Sequence, residues 1–185
     1  GPIIGVLVFI GCLLLVILLP LSLRRVASTE VAVKYDKVSR KLGDEVLSEG
    51  LHDIGPSGKL LKFETTKREA NFVKFNALTK DGLEVEFDIS FNYRVRPKSE
   101  DIFKIIDNFG DQDGHDVYIK ALCSSTIRDV SVKFSASTYY LQREDFEEDL
   151  QSVIIQRFLD YNVGASLEFV QVVNIDLPPQ IEAAI

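Results

Sequence analysis

The sequence contains no methionine and no tryptophan, and it has only two cysteines and two histidines. Two cysteines cannot hold a small domain together with disulfides. Cys12 and Cys123 also lie in an apolar and a polar part of the chain, where pairing is not expected. Without methionine no start codon is represented, and the chain stops at Ile185 with no terminating signal. We therefore expect the sequence to be a fragment of a longer protein.

Charge is missing from the first 23 residues. All 21 basic and 28 acidic side chains lie at or beyond Arg24, and the uncharged start carries 17 apolar side chains. As a helix, the stretch from Ile3 to Leu23 would extend about 31 Å, which matches the hydrocarbon thickness of a bilayer. The sequence therefore predicts a membrane anchor over residues 1–25 and excludes a fully soluble protein. Its defining residues are Ile3, Leu7, Leu14, Pro20, Leu23, Arg24 and Arg25.

The two arginines set the predicted orientation of this anchor. A cleaved signal peptide needs small residues after the apolar run, but Arg24 and Arg25 follow it directly. Positive charge at this end favours a cytosolic location for the following domain. Pro20 would allow a hairpin, although only three residues follow it before the charges begin. We prefer a single span and keep the hairpin as the alternative.

The polar remainder opens with β-strand patterns. Glu30–Tyr35 alternates apolar and polar residues, and four glycines between positions 43 and 58 predict tight turns between short strands. Two more strands are predicted at 60–65 and 72–79. The clearest pattern is a hairpin turn at Asp81-Gly82, followed by strict alternation from Leu83 to Val95. That strand, about 43 Å long, is expected to be antiparallel with one face in solvent.

Helical spacing begins after Pro97. We expect Ser99 to cap the first helix and Gly110 to end it. A second helix, at about 116–130, would have Val117, Leu122 and Ile127 on its apolar face. Strands first, helices later and one strand last predict an α+β domain. The remaining elements are a helix at about 143–161 with Phe146, Leu150, Val153, Ile154 and Phe158 inward, a strand at 167–177, and a helix from Gln180.

Motifs for bound phosphate or calcium are incomplete. The segment 55–59 lacks the glycine and hydroxyl positions of a phosphate loop, and we interpret it as a turn. The segment 111–116 resembles a calcium loop, but its twelfth position is Leu122 where such loops need glutamate. We interpret it as a polar loop between helices. The acidic residues between Glu144 and Asp149 would lie in the first turns of a helix, where we expect a solvated face.

Catalytic residues are not recognisable either. His52 and His115 are the only candidates for proton transfer near neutral pH, and neither has a nucleophile motif beside it. Together with Cys123 they give no zinc-ligand spacing. We therefore predict no enzyme, no catalytic or cofactor-binding residues, no metal and no cofactor. A hydrolase acting through His52 or His115 is the competing hypothesis, and the net charge of −7 argues against nucleic acid as a partner.

Several short motifs follow one another along nearly the whole chain. An apolar start precedes Glu-Val-Ala-Val at 30–33, Gly-Leu-His at 50–52, and Leu-Thr-Lys-Asp-Gly at 78–82 before the alternating strand. The last strand runs into Pro178 and a small, apolar segment. In these features the sequence resembles the SPFH or band-seven family, which includes stomatin, prohibitin, flotillin and the bacterial HflK and HflC proteins. The proline in the apolar start is similar to the stomatin branch, and a prohibitin-like branch is the alternative.

The resemblance implies an SPFH domain at 26–177 between the anchor and a C-terminal helix that starts at 178–185 and continues as a coiled coil. It also implies a non-enzymatic, membrane-anchored scaffold that oligomerises laterally into rings or cages and organises a membrane microdomain. The alternative function is a regulatory subunit of a membrane protease or ion channel. The implied partners are membrane lipid and copies or related SPFH subunits. The expected location is the plasma membrane or an endomembrane, with the mitochondrial inner membrane as alternative.

Overall fold

The computed structural model describes residues 22–176 together with Gly5, Phe9, Gly11 and Leu13. The chain divides into two compact units, which we call unit 1 (Gly1–Thr65) and unit 2 (Thr66–Ile185). Most of the predicted anchor and the predicted C-terminal helix lie outside the described residues. Among the residues that are described, no helix has the length and hydropathy needed to cross a bilayer.

Unit 1 is built from β-strands in its described part. Strand β2 is the middle strand of an antiparallel sheet with the order β3-β2-β5, and β1 pairs with β4 in a separate antiparallel ribbon. The predicted strand at Glu30–Tyr35 is confirmed as β2. The strands are β1 (Leu23–Val26), β2 (Glu30–Asp36), β3 (Lys41–Leu47), β4 (Gly50–Asp53) and β5 (Gly58–Glu64).

Tight turns and a small core hold unit 1 together. The predicted turn at 55–59 is confirmed, since the Gly58 amide donates to the Gly55 carbonyl over 3.1 Å. Only glycine suits position 58, because an added Cβ would overlap the carbonyl oxygen of Ile54. Gly43, which we expected at a turn, lies inside β3 instead. The buried apolar residues of this unit are Val26, Ala32, Val33, Ile54 and Phe63.

Unit 2 combines one sheet with helices. Its antiparallel sheet has the order β6-β7-β8, so β7 is the central strand. Together with unit 1, this arrangement confirms the predicted α+β class with antiparallel sheets. The elements are β6 (Arg68–Leu78), β7 (Glu84–Val95), α1 (Ser99–Phe109), α2 (Gln112–Ser131), α3 (Ala136–Leu141), α4 (Arg143–Asp160) and β8 (Ala165–Asp176).

Strand β7 follows the predicted alternation, but its second face is not uniformly wet. Phe87, Ile89 and Phe91 are buried on the face that packs against the core. On the other face Ser90 and Asn92 are buried as well, because β6 and β8 flank them on both sides. Exposure to solvent is therefore greatest towards the ends of this face. Small polar residues on a central strand are thus shielded from water by the strands on either side.

Two helix boundaries differ from the prediction. Helix α1 begins at Ser99, but Lys98 occupies the cap position and no side chain caps the helix; Gly110 ends it as predicted, with φ of 84°. Helix α2 begins at Gln112, because the Asp111 side chain accepts a hydrogen bond from the Gly114 amide and starts the helix there. The segment 111–116 is thus a cap and first turn, and the interpretation as an interhelical loop is wrong.

The helix faces that pack on the sheet are partly as expected. Val117 is 68% exposed, so its predicted place on the apolar face of α2 is wrong, whereas Leu122 and Ile127 are buried as predicted. In α4, four of the five predicted inward residues are buried and Val153 is partly buried. Helix α3 had no sequence prediction. Its Tyr139 joins Phe87, Phe134 and Phe146 in an aromatic cluster with ring centroids 4.9 to 6.1 Å apart.

Candidate functional site

The two histidines lie in different units and in different environments. His52 is in β4, where its Nε2 lies 2.8 Å from the Ser48 carbonyl oxygen. His115 is fully buried in α2, and its Nε2 lies 2.8 Å from the carbonyl oxygen of Val163. Its Nδ1 has no hydrogen-bond partner, and burial lowers the pKa of the imidazole. Each histidine therefore contacts a backbone carbonyl of its own unit.

Cys123 is a buried, free thiol in α2. Burial raises its pKa to about 12, so the thiol is protonated at neutral pH and is a poor nucleophile. Within the described part of the chain, no three His, Cys, Asp or Glu side chains are grouped so that they could hold a metal ion. Cys123 packs in the hydrophobic core of unit 2 instead.

The acidic residues that resembled a calcium loop have other partners. Asp111 caps α2, and Leu122, at the position of the missing glutamate, is buried in the core. Asp116 accepts hydrogen bonds from Arg68 at 2.5 Å and from Tyr93 at 2.8 Å. Burial and this carboxylate both raise the pKa of the Tyr93 hydroxyl. The Asp116 carboxylate therefore joins β6, β7 and α2 and is not directed toward an ion.

The acidic residues at the start of α4 have two kinds of environment. Glu144 and Asp145 are exposed in the first turn, as expected for a solvated face at the positive end of a helix. Glu147 has a further role, because one of its carboxylate oxygens accepts hydrogen bonds from Arg143 and from the backbone amide of Val172 in β8. One backbone donor of this sheet edge is thereby satisfied by a side chain.

The opposite edge of the same sheet is irregular. Between Phe72 and Phe75 the register of β6 against β7 shifts, and Lys74 has a positive φ of 52°. The Lys74 amide donates to the Asp88 carboxylate over 2.7 Å. This bulge turns the side chain of Val73 outward, where it is 73% exposed.

The face of the unit 2 sheet that points away from the core has exposed apolar side chains, and we call it the open face. Val73 on β6 and Val173 on β8 are 73% and 60% exposed. A cleft of about 330 Å³ crosses all three strands between them. Exposed apolar surface rimmed by polar residues is typical of protein-contact sites. The polar residues of this cleft are Glu69, Asn71, Asp88, Ser90 and Gln171.

The predicted anchor residues fall partly outside the described chain. Ile3, Leu7, Leu14 and Pro20 are not among the described residues. The other three lie in strand β1, where Leu23 pairs with Asp53, Arg24 with His52 and Arg25 with Leu51. The apolar helix that we expected to reach Leu23 therefore does not extend so far, because the β1–β4 ladder begins at that residue.

Charge is distributed unevenly between the two units. Unit 1 has eight basic and seven acidic residues, a net charge of +1. Unit 2 has thirteen basic and twenty-one acidic residues, a net charge of −8. The acidic character of the whole chain therefore comes from unit 2 alone. Sequence analysis of the chain as one domain missed this contrast, although the charges could have been counted on each side of residue 65.

A protein-family model matches most of the chain. The model described as SPFH domain / Band 7 family matches residues 24–185. The match includes all of β1 except Leu23 and continues through β8, so both units are covered in their described strands and helices. It therefore spans far more than half of the chain, which is sufficient to assign a family.

Proposed function

The chain belongs to the SPFH domain / Band 7 family, and from that membership we propose that it is a membrane-anchored scaffold that oligomerises laterally and organises a membrane microdomain. Members of this family are generally membrane-associated, non-enzymatic and scaffold-like. The proposal gives the apolar start of the chain the role of anchor. It gives unit 2 the role of contact with neighbouring protomers, in rings or cages.

The observation that carries lateral contact is the open face of the unit 2 sheet. Its other face packs against α2 and α4, whereas Val73 and Val173 on the open face have most of their surface in water. Covering two such side chains in an interface is favourable, at about 25 cal/mol per Å² of apolar surface removed from water. The polar residues around them can supply the hydrogen bonds that fix the register of a neighbouring protomer.

The finer assignments belong to the same proposal. The Leu-rich start and the arginine pair support a stomatin-like branch with unit 1 and unit 2 in the cytosol, at the plasma membrane or an endomembrane. A prohibitin-like branch at the mitochondrial inner membrane is the alternative. The residues from Pro178 onward would begin a helix that continues as a coiled coil and adds contacts between protomers.

The native mass of the chain, extracted from membranes with mild detergent, tests lateral association. We expect multimers for the parent chain and smaller species when Val73→Glu and Val173→Glu are combined, because two buried carboxylates would have to lose their hydration. Val117→Glu is the matched control, since the exposure of Val117 lies between those of Val73 and Val173 but Val117 is on α2. A monomeric parent chain would reject the scaffold. Dissociation by Val117→Glu alone would move the contact away from the open face.

A second candidate function is regulation of a membrane protease or ion channel. A second, polar cleft next to the start of α4 favours it; the residues that form it are Leu141, Gln142, Arg143, Glu144, Asp145, Glu147 and Gln171. Leu141 is exposed there beside acidic side chains, which is a suitable contact for a basic client protein. Cross-linking from Gln142 in native membranes tests this role, and recovery of self-copies only would count against it.

A further inference from the structure

The turn between β2 and β3 carries an exposed apolar side chain among cations, and we call residues 37–41 the basic tip. Val38 is 81% exposed, the highest value among the large apolar side chains of the described residues. Lys37, Arg40 and Lys41 are exposed on either side of it. The exposed Val38 side chain does not pack in the core of unit 1. With three cations around it, it is suited to contact with a partner outside the unit.

Among the described residues, the basic side chains of the tip are not held in ion pairs, and they outnumber the one carboxylate beside them. That carboxylate, of Asp36, accepts hydrogen bonds from the Val38 amide, the Ser39 hydroxyl and the Ser57 hydroxyl, at 2.9 to 3.1 Å. These hydrogen bonds lower the pKa of Asp36 and fix the shape of the turn. No ion pair joins Lys37, Arg40 or Lys41 to an acid in the described part of the chain.

Two hydrogen bonds between distant segments bring the basic tip to the end of unit 1 at which residue 22 leads into β1. The Ile54 amide donates to the Ser22 carbonyl over 2.9 Å, and the Lys37 amide donates to the Ser57 carbonyl over 3.3 Å. Only the turn 54–57 separates these two hydrogen bonds, and three residues extend at most roughly 11 Å. The tip therefore lies close to the point at which the chain passes from residue 22 into β1.

Strand β1 adds two more cations at this end. Arg24 and Arg25 are both exposed and follow Ser22 closely. If the apolar segment lies in a bilayer, residue 22 is at the bilayer surface, and the basic tip must then lie near the lipid headgroups. Five exposed basic side chains and one exposed apolar side chain would then lie near that surface, a combination that suits anionic lipid because cations can meet phosphate while the apolar group enters the interface.

We propose that the basic tip, with Arg24 and Arg25, binds anionic phospholipid headgroups of the membrane that holds the anchor. The proposal rests on the proposed membrane anchoring and adds a second contact, from residues that the anchor does not include. Such a contact would fix the orientation of unit 1 on the bilayer, which a single point of attachment does not do. It would also make the protein sensitive to the lipid composition of the cytosolic leaflet.

Tryptophan fluorescence tests this proposal, because the chain has no tryptophan of its own. In the full chain with Val38→Trp, reconstituted in vesicles, we expect a blue shift and quenching by bromine-labelled lipid when phosphatidylserine is present. The shift should be absent in phosphatidylcholine vesicles. At 1 M salt, where the screening length is about 3 Å, it should also be lost in the vesicles that contain phosphatidylserine. Val117→Trp in unit 2 is the control and should not respond to phosphatidylserine.

Charge variants in the Val38→Trp chain separate electrostatics from misfolding. Arg40 has a positive φ of 55°, so Arg40→Gly suits the backbone while it removes a cation. Combined with Lys41→Gln, it should abolish the response to phosphatidylserine. The pair Arg40→Lys and Lys41→Arg keeps both charges and should retain it.

Flotation of the vesicles after an alkaline wash distinguishes the two proposals. If the chain floats but the introduced tryptophan responds equally to neutral and anionic lipid, the anchor stands and lipid binding by the tip is rejected. A response that survives Arg40→Gly with Lys41→Gln would also reject it. If the chain does not float, membrane anchoring fails and the tip proposal fails with it.

Discussion

Unit 1 and unit 2 are stabilised in different ways. Unit 1 has five of the thirty buried apolar residues among the described positions, and unit 2 has twenty-five. The aromatic cluster and the large contiguous core belong to unit 2, whereas unit 1 relies on short strands, tight turns and a glycine that no other residue can replace without a clash. The large core of unit 2 therefore leaves its surface available for contacts with other molecules. The stability of unit 1, in contrast, depends on the geometry of its turns.

The largest expected effect comes from the aromatic core. Phe146→Ala should lower the free energy of unfolding of unit 2 by about 3–5 kcal/mol, because the buried ring contacts Phe87 and Tyr139. The matched variant in unit 1 is Phe63→Ala, for which we expect about 3 kcal/mol, since a smaller core can relax around the cavity. Hydrogen exchange of β7 and β2 amides measures the two units separately. A larger loss for Phe63→Ala would reverse the comparison.

An intermediate effect is expected from one ion pair in each unit. Asp116→Asn should cost about 2 kcal/mol, because the carboxylate accepts hydrogen bonds from Arg68 and Tyr93 in a partly buried position. Glu30→Gln in unit 1 should cost less than about 1 kcal/mol, since its partner Lys62 is 41% exposed and water screens the pair. Urea denaturation of each variant gives both values. Equal costs would show that the two units do not differ in the strength of their ion pairs.

The smallest effect concerns the pH dependence of unit 2. Burial holds the pKa of His115 below its ordinary value of 6.5, so the unfolded chain binds a proton that the folded chain does not. Above about pH 6.5, His115 therefore does not change the free energy of unfolding of unit 2. Below that pH its contribution lowers the free energy of unfolding by at most about 1.4 kcal/mol per pH unit, until the pH reaches the pKa of the folded state.

His115→Gln isolates that contribution. Glutamine can still donate a hydrogen bond toward Val163 but does not titrate. Its stability should change less than that of the parent chain between about pH 7.5 and 5.5, the range around the ordinary histidine pKa, as measured by urea denaturation of the two proteins side by side. The same slope in both would mean that groups other than His115 cause the pH dependence.

Local patterns predicted much of this fold. The alternation from Leu83 to Val95 and the turn at Asp81-Gly82 gave the central strand and its hairpin, because period-two patterning and turn residues act over a few positions. Helix α2 was placed four residues too late, since Gly114 and the surrounding polar residues are typical of a loop until Asp111 is recognised as a cap. Strand β1 was missed because its first residue continues the apolar run.

The candidate sites were less accessible from sequence. Lys37, Arg40 and Lys41 are visible as a basic group, but their closeness to Arg24 depends on the pairing of Ser22 with Ile54 and of Lys37 with Ser57. The exposure of Val73 on the open face depends on the bulge at Lys74, and local sequence patterning does not indicate that bulge. Such features depend on register between distant segments, and alternation within one strand carries no information about it.

The contact between Glu147 and Val172 has a consequence for how this protein avoids misassembly. An uncovered sheet edge is a template on which a foreign strand can add, and repeated addition leads to cross-β aggregates. At Val172 the donor is already occupied by a carboxylate, and on the far side of the sheet the bulge at Lys74 interrupts the regular row of backbone groups. Both edges of this sheet are therefore less open to the addition of a foreign strand than an unbroken row of free backbone donors and acceptors would be.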